Sequence, residues 1–235
     1  MIIKNLIRSS YDSLLAAVLI LSIIFAIYLV SEPIVGQAVT DEFTVTQTVS
    51  SAIAFAATAS DVTMSGTLNG LTGGTTLGET SVRVTSNNVS GYNMTIKFSS
   101  TTAMKRNGSN DTIANYVYSS DMSSYPTGYD TSLPNAQFGF TINASNTSEV
   151  SSVFTHTGGN CGTSNNTTFT VDNCWRGASS TDENAATTLI YSGAPTPASG
   201  STSTVKFRIT IPNGPTPAVP SGTYVATATL TALDN

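Results

Sequence analysis

The chain has 235 residues and a mass of 24.4 kDa, enough for one domain with a sizeable core or two small ones. Charged residues make up 10%, against roughly 25% in ordinary soluble domains, and 32 Ser, 38 Thr and 18 Asn supply polar surface instead. Hydrophobic residues reach 40%, which excludes a disordered or collagen-like chain. The net charge of −5 excludes generic phosphate and nucleic-acid binding.

The first 38 residues are predicted to be a signal peptide or an N-terminal membrane anchor. Lys4 and Arg8 precede an apolar run over 14–30, and Gly36 and Ala38 are the small residues expected before a cut after position 38. As a helix the run would reach about 26 Å, near the lower limit for crossing a bilayer. Both interpretations put the rest of the chain outside the membrane, exported by this N-terminal segment and extracellular or at the cell surface.

The two cysteines, Cys161 and Cys174, fit that location. In an exported chain such a pair predicts a disulfide, and closing a loop of this length contributes roughly 3 kcal/mol. Zinc needs four ligands, and only His156 lies nearby. The pair is therefore predicted to be a structural disulfide, with no metal bound.

After residue 38 apolar and polar residues alternate repeatedly, without helical periodicity. This pattern predicts an all-β fold, an antiparallel β-sandwich of Ig-like or jelly-roll topology, preceded by one hydrophobic helix and forming a single domain over 39–235. The first predicted strand is long, because alternate positions from Phe43 to Ala57 form one face with threonines opposite, and a bulge or break is expected near Ser50.

The other predicted strands are shorter and are separated by Gly, Asn and Pro. They lie around 62–64, 82–84, 92–98, 138–142, 169–171, 189–191, 205–211 and 224–230. The strands at 82–84 and 92–98 are predicted to form a hairpin through a turn at 86–91. Two polar stretches, 99–135 and 176–204, are predicted as long loops, and 212–220 as a stiff crossover between the last two strands.

No constellation typical of catalysis is found. His156 is the single histidine, no G-x-S-x-G sequence occurs, and no D-x-D-x-D-G calcium pattern is present. Acids such as Asp111, Asp121, Asp130 and Asp182 are scattered through predicted loops, so a carboxylate pair for glycan hydrolysis stays a remote alternative. The sequence therefore predicts no catalytic residue, no cofactor and no enzymatic activity.

The first long loop carries a group of tyrosines that could recognise a ligand. A tyrosine ring offers a flat apolar face with a polar tip, which suits stacking on sugars or on a partner protein. The candidate residues are Tyr116, Tyr118, Asp121, Tyr125, Tyr129 and Asp130. The alternative is structural: Tyr116 and Tyr118 belong to a strand, and the remaining tyrosines attach the loop to the sandwich.

Two short motifs resemble those of secreted bacterial sandwiches. Pro220, Gly222 and Tyr224 form a P-x-G-x-Y turn before an alternating strand, similar to the terminal strand of pilin-like and spore-coat-like surface proteins. The stretch 85–96 looks like a T-N-x-x-x-G-Y hairpin of uncharacterised bacterial surface sandwiches. The cysteine pair differs from the placement in chaperone–usher pilins, which argues against assembly by that route. The resemblance implies a secreted β-sandwich and leaves its function open.

These observations favour a non-enzymatic surface protein, either a structural fibre or coat subunit or an adhesin. Partners would be a second copy, through strand exchange by 40–57, or surface glycans; an uncleaved N-terminal segment would also contact the membrane. The other interpretation of 40–57 is that it is simply the first strand of its own sandwich. A carbohydrate-binding module using the loop 116–130 is the alternative function.

Overall fold

The structure is a computed structural model that describes residues 2–31, 41–117, 133–157, 160–161, 174–178 and 185–235. It divides into two compact units, 1–48 and 49–235. The predicted cleavage point after Ala38 and the predicted strand at 169–171 lie outside the described residues.

The first unit contains one helix, α1, over Ile2–Ser31. Its stretch from Tyr11 to Val30 has 20 residues and a mean hydropathy of 2.8, and its side chains are exposed along the whole length. A helix of that length spans about 30 Å, the thickness of the hydrocarbon core of a bilayer. The helix is therefore compatible with a signal sequence or a membrane anchor.

The second unit is a sandwich-like arrangement of strands, as the alternation predicts. The strands are β1 (Ile53–Ala57), β2 (Gly74–Ser86), β3 (Tyr92–Phe98), β4 (Met104–Arg106), β5 (Thr112–Asn115), β6 (Gln137–Ala144), β7 (His156–Thr157), β8 (Asn160–Cys161), β9 (Thr187–Ser192), β10 (Ser201–Ile211), β11 (Tyr224–Val225) and β12 (Ala228–Asp234). The large sheet has the order β1-β2-β10-β6-β5-β4-β11, and the small sheet the order β12-β3-β9. All described pairs are antiparallel except β5 with β6.

The core lies between these two sheets. Alternate residues of β2, β3 and most of β10 point inward and are buried, as period-two side-chain geometry requires, whereas β6 is buried on both faces. Phe98 of the small sheet packs against Phe138 and Phe140 of the large sheet, with ring centroids 5.8 Å and 5.3 Å apart. These aromatic contacts fix the two sheets face to face.

The long first strand is a wrong prediction for most of its length. Only Ile53–Ala57 forms a strand, whereas residues 41–52 have no regular secondary structure and are exposed. The strand at 62–64 is also absent, although the chain there runs beside β2, where the Ser65 N–H donates to the Leu77 carbonyl at 2.8 Å. An alternating segment forms a strand only where a neighbouring strand supplies backbone hydrogen bonds, and no strand in the described part of the chain pairs with 41–52.

Three predicted connections also differ from the structure. The segments 82–84 and 92–98 do not form a hairpin, because β2 pairs within the large sheet and β3 within the small one. The predicted loop 99–135 contains β4 and β5. The predicted strand 224–230 breaks after Val225, where the chain leaves the large sheet and enters the small sheet as β12. These predictions were wrong because alternation of apolar residues shows that a segment can be a strand but not which sheet it joins.

Candidate functional site: an exposed entry segment and an open apolar groove

Residues 41–52, named the entry segment here, expose apolar side chains to water. Phe43, Val45 and Val49 are 85%, 82% and 79% exposed. They occupy alternate positions, with Thr44, Thr46 and Thr48 between them. In an extended chain successive side chains point to opposite sides, so as a strand the segment would carry Phe43, Val45, Gln47 and Val49 on one mostly apolar face and threonines on the other. Such a pattern is ready to act as a strand.

The sandwich holds the last residues of the entry segment by an amide side chain. The Asn87 side chain donates through Nδ2 to the Ser50 carbonyl at 3.1 Å and accepts through Oδ1 from the Ala52 N–H at 2.6 Å. Asn87 follows β2, where Ile53 pairs with Ser86. The chain therefore enters the sandwich at the end where β2 finishes and β3 begins.

An apolar cavity of about 1150 Å³, named the groove here, opens at the other end of the sandwich. Its floor comes from inward-facing residues of both sheets: Ile96, Phe98, Met104, Ile113, Phe138, Val205, Phe207, Ile209, Ile211, Ala228 and Leu230. Its two rims are 59–71, which follows β1, and 218–226, which precedes β12. The groove exceeds the range of about 300–1,000 Å³ usual for small-molecule pockets.

The groove is open because the small sheet ends at β12 on that side. β12 pairs with β3, and no described strand pairs with its other edge. The Ser99 N–H donates to the Thr227 carbonyl at 3.0 Å, and the Asn235 N–H to the Gly91 carbonyl at 3.2 Å. The N–H and C=O groups of the odd-numbered residues of β12 thus point toward β3. Those of its even-numbered residues point the other way, toward the unpaired edge.

Those even-numbered residues also supply the apolar side of β12. Ala228, Leu230 and Ala232 pair with inward residues of β3 and are only partly covered or exposed, whereas Thr229 and Thr231 lie on the outer face. An unpaired edge of this kind presents free N–H and C=O groups to another strand. The edge of β12 thus offers both unpaired backbone groups and an apolar face to an added strand.

The P-x-G-x-Y sequence builds one rim of the groove. The Tyr224 hydroxyl donates to the Pro220 carbonyl at 2.9 Å, which closes the turn, and Arg106 donates to the Ser221 carbonyl at 2.9 Å. Burial, followed by the nearby Asp111 carboxylate, raises the pKa of Tyr224, and the Arg106 guanidinium partly opposes this effect. Arg106 also pairs with Asp111. This rim is therefore held from β4 as well as by its own turn.

The other rim is attached to β2 by short-range contacts. The Ser60 N–H donates to Thr80 Oγ1 at 2.9 Å, and Val62 and Met64 lie directly over Gly78. A methyl group added at Gly78 would lie 2.5 Å from Val62 Cγ1, so a larger residue would push this rim away from β2. The two rims are thus anchored to the large sheet, with the groove between them.

The chemistry of the groove is apolar recognition. Its polar lining includes Thr76, a buried residue whose hydroxyl has no hydrogen-bond partner among the described residues. The described residues contain no group of three His, Cys, Asp or Glu side chains able to hold a metal ion. Such a cavity suits an added strand whose apolar side chains enter the groove while its backbone forms hydrogen bonds with the free edge of β12.

The predicted disulfide is confirmed. Cys161 and Cys174 are bonded and buried, with Cα atoms 5.8 Å apart, and they cluster with Tyr116 and Trp175. Thr141 of β6 donates its hydroxyl to the Cys174 carbonyl at 2.6 Å, which ties this cluster to the large sheet. The bridge is a structural device, and its presence is typical of exported proteins.

The candidate tyrosine loop is divided by this cluster. Tyr116 is 4% exposed and follows β5 directly, so its ring packs inside the protein rather than facing a ligand. The remaining candidates Tyr118, Asp121, Tyr125, Tyr129 and Asp130 lie outside the described residues. Tyr116 is therefore a buried residue, although it lies just after β5 and not within a strand as the structural alternative has it.

Sequence reasoning identified the entry segment as a candidate for strand exchange but missed the groove. The groove forms where two sheets diverge, and no periodicity in one strand records that divergence. One signal was present: Ala226 and Ala228 are small residues at positions of a terminal strand where the other core strands carry Val, Ile or Phe.

No family model, curated protein or solved structure matches the chain.

Proposed function

We propose that this chain is a non-enzymatic extracellular structural protein, a subunit of a surface fibre or coat that assembles through its entry segment. The observation that carries the proposal is the exposure of Phe43, Val45 and Val49 in an alternating segment. Fully burying one such side chain contributes about 1.5–3 kcal/mol, so three of them on one face give a substantial drive to associate.

Two further features support an extracellular role. The disulfide would be reduced in a cytosolic environment and persists in an oxidising one. Helix α1 supplies export, because its apolar stretch is long enough to be inserted into a membrane. If the helix is retained, each subunit is tethered and the assembly is a coat; if it is removed, the subunits are free to form a fibre.

The test compares two double variants of the full chain that add the same charge to opposite faces of the entry segment. Val45→Asp with Val49→Asp charges the apolar face, and Thr46→Asp with Thr48→Asp charges the hydroxyl face. Surface assemblies are measured by electron microscopy of expressing cells and by the molar mass of extracted protein. We expect loss of assemblies only in the valine variant.

Assemblies that persist in the valine variant would overturn the proposal, and so would a parent chain that stays monomeric at the cell surface. Trp175 is the only tryptophan and is buried, so its fluorescence verifies that both variants keep the native fold.

A further inference from the structure

We propose that the groove is the acceptor site for the entry segment of a second copy, which pairs along the free edge of β12. This inference rests on the proposed function, since it names the surface at which the subunits join. The acceptor is the edge of β12 with which no described strand pairs. The occupant is the entry segment of another copy, which belongs to no sheet in its own chain.

The backbone of β12 is suited to receive a strand. Its even-numbered residues Ala228, Leu230 and Ala232 direct their N–H and C=O groups away from β3, toward the edge with which no described strand pairs, although β1 of the large sheet lies nearby. A strand added there would form main-chain hydrogen bonds with these groups, the mode of recognition called β-augmentation. The added strand would extend the small sheet from three strands to four.

The side chains of the two partners match on both faces. The mostly apolar face of the entry segment, Phe43, Val45 and Val49 with Gln47 between them, would enter the groove beside Ala228 and Leu230, where the lining is largely apolar. Its opposite face consists of threonines, which would lie next to Thr229 and Thr231 on the outer surface of the small sheet. Threonine pairs across neighbouring strands are favourable. The groove lies beside the first half of β12, around Ala228 and Leu230, so only part of the stretch 43–49 would lie in it.

The location of the two features favours a second copy over the same chain. The entry segment joins the sandwich beside Asn87, at the end where Asp234 of β12 pairs with Tyr92. The groove is at the other end, where β12 begins with Ala228. To fill its own groove the chain would have to reverse direction within 50–52, the residues that Asn87 holds. A donor at one end and an acceptor at the other give a head-to-tail contact that repeats along a fibre.

The experiment links the two surfaces by a disulfide in the assembled full chain. Two variants, Val45→Cys and Ala228→Cys, are co-expressed with different tags in one cell and oxidised mildly at the cell surface. Mass spectrometry of the peptides identifies the bond between residues 45 and 228. We expect this heterodisulfide at least about tenfold above the matched pair Val45→Cys with Thr229→Cys, because docking raises the effective concentration of one thiol near the other. Thr229 is adjacent in sequence but lies on the outer face of the sheet.

Each result supports or overturns the inference. Assemblies without a 45–228 link would overturn the groove as acceptor and leave the proposed function standing, whereas neither assemblies nor link would overturn both. A chain carrying both cysteines that forms the bond within one molecule would overturn the second copy as occupant. A co-purifying apolar small molecule in the groove, with no link, would also overturn the proposal.

Discussion

At one end of the sandwich Asn235, which follows β12, is hydrogen-bonded both to the turn 86–91 and to the end of β9, whereas at the other end the two sheets separate around the groove. The first, the closed end, uses side-chain amides: Asn235 donates to the Ser90 carbonyl at 3.1 Å and the Ser192 carbonyl at 2.6 Å, and Asn88 donates to the Asn235 carbonyl at 3.1 Å. The second, the open end, exposes apolar side chains and a bare strand edge.

Because of this difference, we expect substitutions at the two ends to affect different measurements: the free energy of unfolding at the closed end and association at the open end. Substitutions at the closed end should change the free energy of unfolding because they break contacts already made within one chain. If the proposed docking is correct, substitutions at the open end should change association more than the free energy of unfolding. For all variants the fluorescence of Trp175 in the full chain reports unfolding by denaturant.

The largest expected effect is that of Gly91→Ala at the closed end. Gly91 has φ of 79°, and an added Cβ would lie 2.1 Å from the Ser192 carbonyl oxygen. Left-handed strain and this clash together should lower the free energy of unfolding by about 3 kcal/mol or more. Gly108→Ala is the matched control, with φ of 70° and nothing within 4 Å of its added Cβ. It should cost only about 1 kcal/mol; equal costs would show that Gly91 is not closely packed.

Tyr92 gives the closed end a dependence on alkaline pH. Burial, followed by the Glu149 carboxylate, raises its pKa to about 12 from 10, partly opposed by a hydrogen bond with Ser201. Because the folded pKa lies above the unfolded one, this stabilisation is complete below pH 10 and is lost as the pH rises toward 12. The loss should reach about 2–3 kcal/mol.

The measurement is denaturant unfolding at a series of pH values from neutral to 12. Tyr92→Phe should remove most of the alkaline loss, since phenylalanine cannot ionise. Tyr191→Phe, at an exposed position, should leave the profile of the parent. If Tyr92→Phe lost stability as steeply as the parent, another group would control the alkaline limit.

A matched pair of alanines compares the two ends directly. Ala144 is buried in the core and pairs with Ser203, near the closed end, whereas Ala228 is exposed at the groove. Ala144→Leu should lower the free energy of unfolding by about 1–3 kcal/mol through overpacking. Ala228→Leu should change it by less than about 0.5 kcal/mol and should weaken assembly, because the larger side chain occupies the groove. A large stability loss in Ala228→Leu would show that the open end is already packed.

The same contrast explains what the sequence could and could not predict. Alternation in Phe138–Ile142 and Val205–Ile211 predicted core strands correctly, because the apolar residues of both segments are largely buried in the core between the two sheets. It failed for 43–52, because within the described residues no strand pairs with this segment and its apolar side chains are exposed. The break after Val225 was missed because residues 224 and 226 keep the same period while the strand changes sheets. The disulfide was predictable from two cysteines, since no other pairing exists.

Asn87→Ala should have a modest effect on stability and the clearest effect on the direction in which the entry segment leaves the sandwich. Removing the two hydrogen bonds to Ser50 and Ala52 should lower the free energy of unfolding by about 1 kcal/mol. Asn88→Ala is the matched control, because it removes the bond to Asn235 at the same turn without touching 50–52, and it should cost a similar amount. Only Asn87→Ala should free the entry segment to turn back, which would move the link between residues 45 and 228 from between chains to within one chain. Equal fractions of intramolecular link in both variants would mean that Asn87 does not set the direction in which the segment leaves.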